Sequence, residues 1–210
     1  MKLTKPGMRC FSKEIFLLAI ILLLVTFLCV HSFVTPSSVK IRPAGEFMVS
    51  EPVFLYRQDD EKWADNRLGD SQCDMASSGC LVSCIASAVS MKSSPITPGE
   101  LNALFSENAV YDSAGNIEWG KVEEIDGFYA EIYDEPSNEI IEECLQNGKY
   151  PIVRVRMNGI GSYHYILIVG CRQGDYVCMD PAKDELTTLS QYGGKIYAIR
   201  CVWKDGTDDE

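Results

Sequence analysis

The stretch "YHYILIVGCRQGDYVCMDP", residues 163–181, decides the fold. Two runs rich in β-branched and aromatic residues flank residues 172–174, which predicts an antiparallel hairpin with these three residues at its tip. His164 is unexpected inside such an apolar strand. The chain's other histidine, His31, lies beside an apolar segment near the N-terminus. Any histidine chemistry in the folded part must therefore use His164.

The hairpin register relates His164 to a carboxylate. If Cys171 faces Asp175, then Ile166 faces Asp180, and His164 becomes the diagonal neighbour of Asp180, about 7–8 Å away at Cα. A carboxylate there can accept the imidazole N–H, orient the ring and stabilise the imidazolium. A slip of one residue would spoil this geometry. The alternative is a core histidine bonded to a tyrosine or a carbonyl group.

Helical patterns precede the hairpin, and further strand patterns surround it. Three helices are predicted: "SSGCLVSCIASAVSM" (77–91, capped by Ser77 or Ser78), "TPGELNALFSEN" (97–108, with a Thr97–Glu100 capping box) and "SNEIIEECLQNG" (137–148). "PIVRVRM" and "KIYAIRCVW" read as additional strands, whereas residues 112–134 allow no assignment. Helices followed by an antiparallel sheet predict an α+β fold.

One cysteine stands at a position that favours a thiolate. Cys80 opens the first predicted helix, where the helix dipole and unpaired N–H groups stabilise negative charge by about 0.3–1 kcal/mol. Cys84 lies one turn deeper, and Cys73 lies in a polar loop without such support. We therefore expect Cys80 to be the nucleophile and His164 to be its base.

A glutamine upstream completes this candidate site. Gln58, in "FLYRQDDEKWAD", follows an apolar strand-like run. Its amide can donate to the oxyanion of a tetrahedral intermediate. The signal is weak by itself, because exposed glutamines are common.

These residues, in this order, resemble a known family. The sequence is similar to papain-like cysteine peptidases of the double-glycine leader-processing type, closest to their stand-alone, exported members. The similarity lies in Gln58, in "GC" at 79–80 opening an Ala/Val-rich helix, in "YHYILIVG" and in "MDP". The resemblance covers roughly Val53 to Trp203. It implies a papain-like fold, with Gln58 in the oxyanion hole, Cys80 as nucleophile, His164 as base and Asp180 orienting it, and no metal or organic cofactor.

One departure from that family keeps other functions open. The family commonly reads Gly-Cys-Gly-Pro-Thr at the nucleophile, whereas this chain has "GCLVS", so Leu81 is expected to crowd the mouth of the cleft. The first hypothesis is a thiol peptidase acting on a peptide or protein substrate. The second is an inactive, peptidase-like module that binds peptides at the cell surface. The third is an amidase acting on cell-wall peptides.

The N-terminus predicts export and membrane attachment. A basic stretch, 1–14, precedes an apolar segment, 15–34, which is long enough to cross a bilayer core of about 30 Å as a signal anchor. We expect a single-pass protein with its domain outside the cell membrane, or a secreted one if the segment is cleaved. A linker (35–46), the peptidase-like domain (47–204) and an acidic tail (205–210) follow.

Charge and cysteine content limit the partners. Residues 43–210 contain 13 Lys and Arg against 29 Asp and Glu, a net charge of −16, which repels nucleic acid and anionic lipid but is compatible with a basic peptide. Seven cysteines follow the apolar segment: Cys73, Cys80, Cys84, Cys144, Cys171, Cys178 and Cys201. Because no C-x-x-C pair occurs, we expect no structural zinc site. An odd number leaves at least one thiol unpaired, and the pairing of the other six stays open between disulfides and buried thiols.

Overall fold

The computed structural model describes residues 11–34, 38–47 and 52–205, and the chain divides into two units, Met1–Ser37 and Ser38–Glu210. The first unit contains helix α1, Phe11–Val34, whose described side chains, residues 15–26, are exposed. Within the described residues no helix is long and apolar enough to cross a membrane, which contradicts the predicted single-pass localisation. Residues 1–10, 35–37 and 206–210, parts of the predicted basic N-terminus, linker and acidic tail, lie outside the described residues.

The second unit is an α+β domain, which confirms the predicted class. Its helices are α2 (Met75–Ser78), α3 (Cys80–Ser90), α4 (Pro98–Glu107), α5 (Trp119–Val122) and α6 (Asn138–Gln146), with 3₁₀ turns at Met157–Gly159 and Leu189–Tyr192. Its strands are β1 (Val39–Lys40), β2 (Phe128–Tyr133), β3 (Pro151–Arg156), β4 (Tyr163–Arg172), β5 (Asp175–Met179), β6 (Thr187–Thr188), β7 (Lys195–Ile196) and β8 (Ala198–Lys204). Six of them form an antiparallel sheet in the order β2-β8-β3-β4-β5-β6, and β1 pairs with β7.

Both faces of this sheet are buried, which explains why its strands are apolar at successive positions. Leu167 and Val169 of β4 belong to the core formed with α3 and α4. Their neighbours Ile166 and Ile168 point to the opposite face and pack in a second core with Ile141 of α6. Full burial of one such side chain stabilises the fold by about 1.5–3 kcal/mol.

The helix starts were predicted correctly in one case and wrongly in another. Thr97 caps α4 in the predicted capping box, accepting from the Glu100 amide at 3.2 Å. The predicted Ser77 or Ser78 cap of α3 is wrong, because residues 75–78 form their own turn, α2, capped by Asp74. Gly79 is the N-cap of α3 and makes no side-chain cap.

A β-bulge interrupts the hairpin. A two-residue turn at Gln173 and Gly174, both with positive φ (55° and 74°), sets Arg172 opposite Asp175. The predicted pairing of Cys171 with Asp175 is therefore wrong by one residue. Between Ile168 and Gly170 the register shifts, and Leu167 then faces Met179, as the predicted register requires.

The segment before the predicted domain also packs on it. Residues 38–46 were assigned to a linker, but β1 lies within them and Ile41 is 5% exposed. The Cys171 amide donates to the Phe47 carbonyl at 2.9 Å. These contacts attach the start of the second unit to the strand β4 that carries His164.

Candidate functional site

His164 and Asp180 form a buried pair at the open end of the hairpin. Nε2 of His164 lies 2.6 Å from Oδ1 of Asp180, and the two residues are 7% and 1% exposed. Asp180 directly follows the last residue of β5, and His164 is the second residue of β4. The contact predicted from the sequence is therefore direct, without an intervening water.

Asp180 is held by more than the histidine. The Tyr192 hydroxyl donates to Oδ2, and the Ala182 amide donates to Oδ1 at 2.8 Å. Burial raises the pKa of Asp180, but the hydrogen bonds from His164, Tyr192 and Ala182 outweigh burial and lower it. The carboxylate stays charged and fixes the imidazole.

Cys80 of α3 contributes to the electrostatic environment of His164. Because Nε2 is bonded to Asp180, Nδ1 is the ring nitrogen that remains for a second partner. Burial lowers the pKa of His164, but the interactions with Asp180 and Cys80 outweigh burial and raise it to about 9. The Asp180 carboxylate therefore favours the protonated form of the ring.

Cys80 differs from Cys84 in exposure and from Cys73 in position. Cys80 is the first residue of α3 and is partly exposed, and the first-turn N–H groups of a helix have no intrahelical partner. Cys84 is fully buried, its thiol donates to the Tyr165 carbonyl at 3.5 Å, and burial raises its pKa well above the ordinary value. Cys73 is also partly exposed, but it lies outside the helices, and its thiol donates to the Ala114 carbonyl at 3.5 Å. Of these three cysteines, Cys80 is the one that affects the pKa of His164.

Gln58 lies against the turn that precedes Cys80. Its Nε2 donates to the Ala76 carbonyl of α2 at 2.6 Å, and its backbone N–H donates to the Pro181 carbonyl at 2.9 Å. The Oε1 atom is buried without a partner among the described residues. A primary amide carries two N–H donors, so one remains for a ligand. The structure thus brings Gln58, Cys80, His164 and Asp180 to one region.

A cavity of about 200 Å³ opens beside the Cys80 thiol. Its walls combine apolar and aromatic side chains with polar groups: Leu68, Ser78, Cys80, Leu81, Val82, Tyr111, Gly115, Asn116, Ile117, Trp119 and Tyr165. Leu81, expected to crowd the cleft, is half-buried and forms part of this wall. A cavity therefore remains next to the thiol despite this side chain.

Several residues near the site carried no sequence signal. Tyr192 was missed because it lies in a 3₁₀ turn twelve residues after Asp180, without a recognisable motif. The cavity wall at Tyr111–Trp119 lies largely in the segment left unassigned. A tight turn forms it, in which Oδ1 of Asp112 accepts from the amides of Ala114 and Asn116, both at 2.8 Å.

Another cluster of thiols lies away from this site. The ligand atoms of Glu131, Cys144 and Cys201 lie within 4.8 Å of one another. The Lys149 ammonium pairs with the Glu131 carboxylate at 2.8 Å. These residues come from β2, α6 and β8, so their spacing in the sequence gives no metal-site pattern. The seven cysteines of the second unit are all free thiols.

Scans of protein-family models, of curated proteins and of solved structures each found no match to this chain. The functional inference depends instead on the geometry of the site. A partly exposed thiol at the start of a helix lies near a histidine that is hydrogen-bonded to a buried carboxylate, and a cavity opens beside the thiol. Such an arrangement can support nucleophilic attack and proton transfer.

Proposed function

We propose that this protein is a papain-like thiol peptidase that hydrolyses a peptide bond. The observation that carries the proposal is the position of the His164 ring, which bonds to Asp180 at 2.6 Å and whose pKa is affected by Cys80, the first residue of α3. The same chain of contacts activates cysteine nucleophiles generally, because the imidazolium stabilises the thiolate and the carboxylate stabilises the imidazolium. The sheet and the α3 helix supply the two walls that such a site needs.

In the first half of the reaction, His164 takes the proton of the Cys80 thiol and becomes an imidazolium, and the sulfur attacks the carbonyl carbon of the substrate. The C–N bond then breaks, and the imidazolium of His164 donates its proton to the leaving amine. The products of this half are an acyl thioester on Cys80, a neutral imidazole and a free amine. Asp180 keeps the ring in the orientation required for both proton transfers.

Water completes the reaction. Neutral His164 removes a proton from water, the hydroxide attacks the thioester carbonyl, and the thiolate leaves while the ring becomes charged again. Both tetrahedral intermediates carry an oxyanion. The Cys80 backbone N–H and the remaining N–H of the Gln58 amide are the donors proposed for it, and one such donor contributes about 10²–10³ in kcat.

The second candidate is a binding module without catalysis. Two observations favour it. Leu81 forms part of the cavity wall, and one N–H of the Gln58 amide already donates to the Ala76 carbonyl. Such a module would hold a peptide in the same cavity and leave it intact. The amidase hypothesis uses the same four residues on a cell-wall peptide and differs only in substrate.

The test is incubation of the purified domain with a defined peptide library and, separately, with cell-wall peptides, followed by mass spectrometry of the products. We expect cleavage of library peptides by the wild type. Cys80→Ala should abolish it, His164→Ala should lower the rate about 10²–10⁴-fold, and Gln58→Ala about 10²–10³-fold.

The outcomes separate the three functions. Peptides retained intact by both wild type and Cys80→Ala would support the binding module. Cleavage confined to cell-wall peptides would support the amidase. Equal cleavage by Cys84→Ala and wild type is the matched control, because Cys84 is buried and does not contact His164.

A further inference from the structure

The charge beside the cavity is opposite to that of the domain as a whole. Although residues 43–210 carry a net charge of −16, two arginines lie on the sheet beside Tyr165, a residue of the cavity wall. Arg154 of β3 pairs directly with Tyr165 of β4, and Arg156 pairs with Tyr163. Side chains directly opposite in an antiparallel pair share a face. Arg154 therefore lies on the same face of the sheet as the Tyr165 side chain that lines the cavity.

Aromatic rings hold these two arginines in place. The Arg154 and Arg156 guanidinium carbons lie 4.7 and 4.3 Å from the centre of the Tyr163 ring. The two terminal nitrogens of Arg156 donate to the Gly161 carbonyl at 2.9 Å and to the Tyr163 hydroxyl at 3.2 Å, and its guanidinium carbon lies 5.6 Å from the Tyr197 ring. Stacking of this kind keeps the guanidinium charge, and each terminal nitrogen of Arg156 retains a second N–H for a carboxylate.

Neither arginine has an acidic partner in the part of the chain that the structure describes. The six ion pairs there do not include Arg154 or Arg156, whereas Arg200 on the same sheet binds Asp134 at 2.8 Å. The Nε atoms of Arg154 and Arg200 are both buried without a partner among the described residues, but only Arg200 has a carboxylate for the rest of its guanidinium. A carboxylate from a ligand would supply Arg154 with the partner that Asp134 supplies to Arg200.

We propose that Arg154 and Arg156 bind a carboxylate of the peptide that occupies the Cys80 cavity. Placing this carboxylate on a peptide rests on the proposed function, but the anion preference of the cavity does not. The domain thus selects acidic peptides, although its net charge by itself favours basic ones. The carboxylate is either an Asp or Glu side chain or the C-terminus of the peptide, since both offer the same bidentate acceptor.

A pair of small reagents tests the anion preference without any substrate. Iodoacetate and iodoacetamide alkylate the same thiol and differ in one negative charge. The rate constant of iodoacetate divided by that of iodoacetamide, both second-order constants for Cys80 measured by mass spectrometry at low salt, reports the electrostatic potential at the thiol. We expect the double variant Arg154→Gln/Arg156→Gln to lower this ratio roughly tenfold, and added salt to reduce the wild-type ratio.

Arg172→Gln is the matched control. Arg172 is exposed at the hairpin tip, about 26 Å along β4 from His164, so the same change of charge there should leave the ratio unchanged. A ratio unaltered in the double variant, or lowered equally by Arg172→Gln, would overturn the proposal. Circular dichroism of each variant shows whether a lowered ratio comes from an intact fold.

Three variants of one octapeptide identify the source of the carboxylate. Binding to Cys80→Ala is measured by fluorescence anisotropy for an amidated neutral Ala/Gln octapeptide, the same peptide with a free C-terminus, and the amidated peptide with one Glu. Tighter binding of either acidic peptide, lost in the double variant, supports the proposal and names the source, and equal binding of all three overturns it. Failure of the peptidase function would appear separately, as absent cleavage with the reagent ratio intact.

Discussion

His164 Nε2 and Asp180 Oδ1 lie 2.6 Å apart although the two residues are not paired in the sheet. The last paired positions of the hairpin are Leu167 and Met179, so Asp180 lies one residue beyond the end of its strand. There its side chain is turned to the ring by hydrogen bonds from Tyr192 and Ala182. The pair thus depends on the loop after β5 as much as on the hairpin itself.

Cys80 should be the most reactive cysteine. With iodoacetamide at pH 6, we expect Cys80 to be labelled before the other six cysteines of the second unit, because it is partly exposed in the first turn of α3, where N–H groups lack intrahelical partners. His164→Ala should slow this labelling, because the variant lacks the base proposed to take the thiol proton. Cys84 and Cys178 should stay unlabelled in the folded protein, since burial raises the pKa of both. First labelling at Cys84, measured by peptide mapping, would contradict the assignment of the nucleophile.

The stability of the domain should fall in mild alkali. The pKa of His164 is raised from 6.5 to about 9, so its contribution to the free energy of unfolding is complete below pH 6.5 and is lost as the pH rises through 9. A shift of this size corresponds to roughly 3 kcal/mol. Urea unfolding at pH 6 and pH 10 measures it. His164→Gln should remove this pH-dependent component of the free energy of unfolding. If the variant lost as much stability between pH 6 and pH 10 as the wild type, His164 would be ruled out as its source.

Tyr192 should act as a positioning residue for Asp180. Tyr192→Phe removes a hydrogen bond to a charged carboxylate, which should destabilise the domain by about 1.5–3 kcal/mol. Because that bond helps to lower the pKa of Asp180, its loss should move the acid limb of the pH–rate profile upward.

The control for this variant is Tyr176→Phe. The Tyr176 hydroxyl is also hydrogen-bonded, at 2.6 Å, but to Oδ1 of the neutral Asn138. Its removal should lower stability and leave the pH–rate profile in place. A profile unchanged by Tyr192→Phe would reduce Tyr192 to a purely structural role.

Gly79 should be required for the position of Cys80. A Cβ atom at Gly79 would lie 2.5 Å from the Met75 carbonyl oxygen and 2.7 Å from the Met75 sulfur. Gly79→Ala should therefore displace the start of α3, destabilise the domain by about 1–3 kcal/mol and slow alkylation of Cys80. Gly120→Ala is the control, because a Cβ there meets no atom within 4 Å. Unchanged stability and alkylation in Gly79→Ala would contradict this requirement.

Much of the fold follows from local patterns. The Thr97–Glu100 capping box and the apolar runs of β3, β4, β5 and β8 were identifiable because they depend on neighbours a few residues away. The first turn of α3 was predicted wrongly, since Asp74 and Gly79 divide the pattern into two helices. Helix α5 and strand β2 were missed because their short, mixed sequences acquire structure by packing against the sheet.

The residues of the candidate site were likewise identified partly from local sequence and partly from the tertiary structure. The sequence alone identified the thiol at the start of a helix, the histidine in an apolar strand and the aspartate at a strand end. Only the tertiary structure decided that His164 reaches Asp180, because the two-residue turn at the hairpin tip shifts the register by one and the bulge at Val169 shifts it back. It also decided the placement of Tyr192, Arg154 and Arg156. These side chains belong to separate elements, and contacts between distant residues depend on how the sheet buries both of its faces.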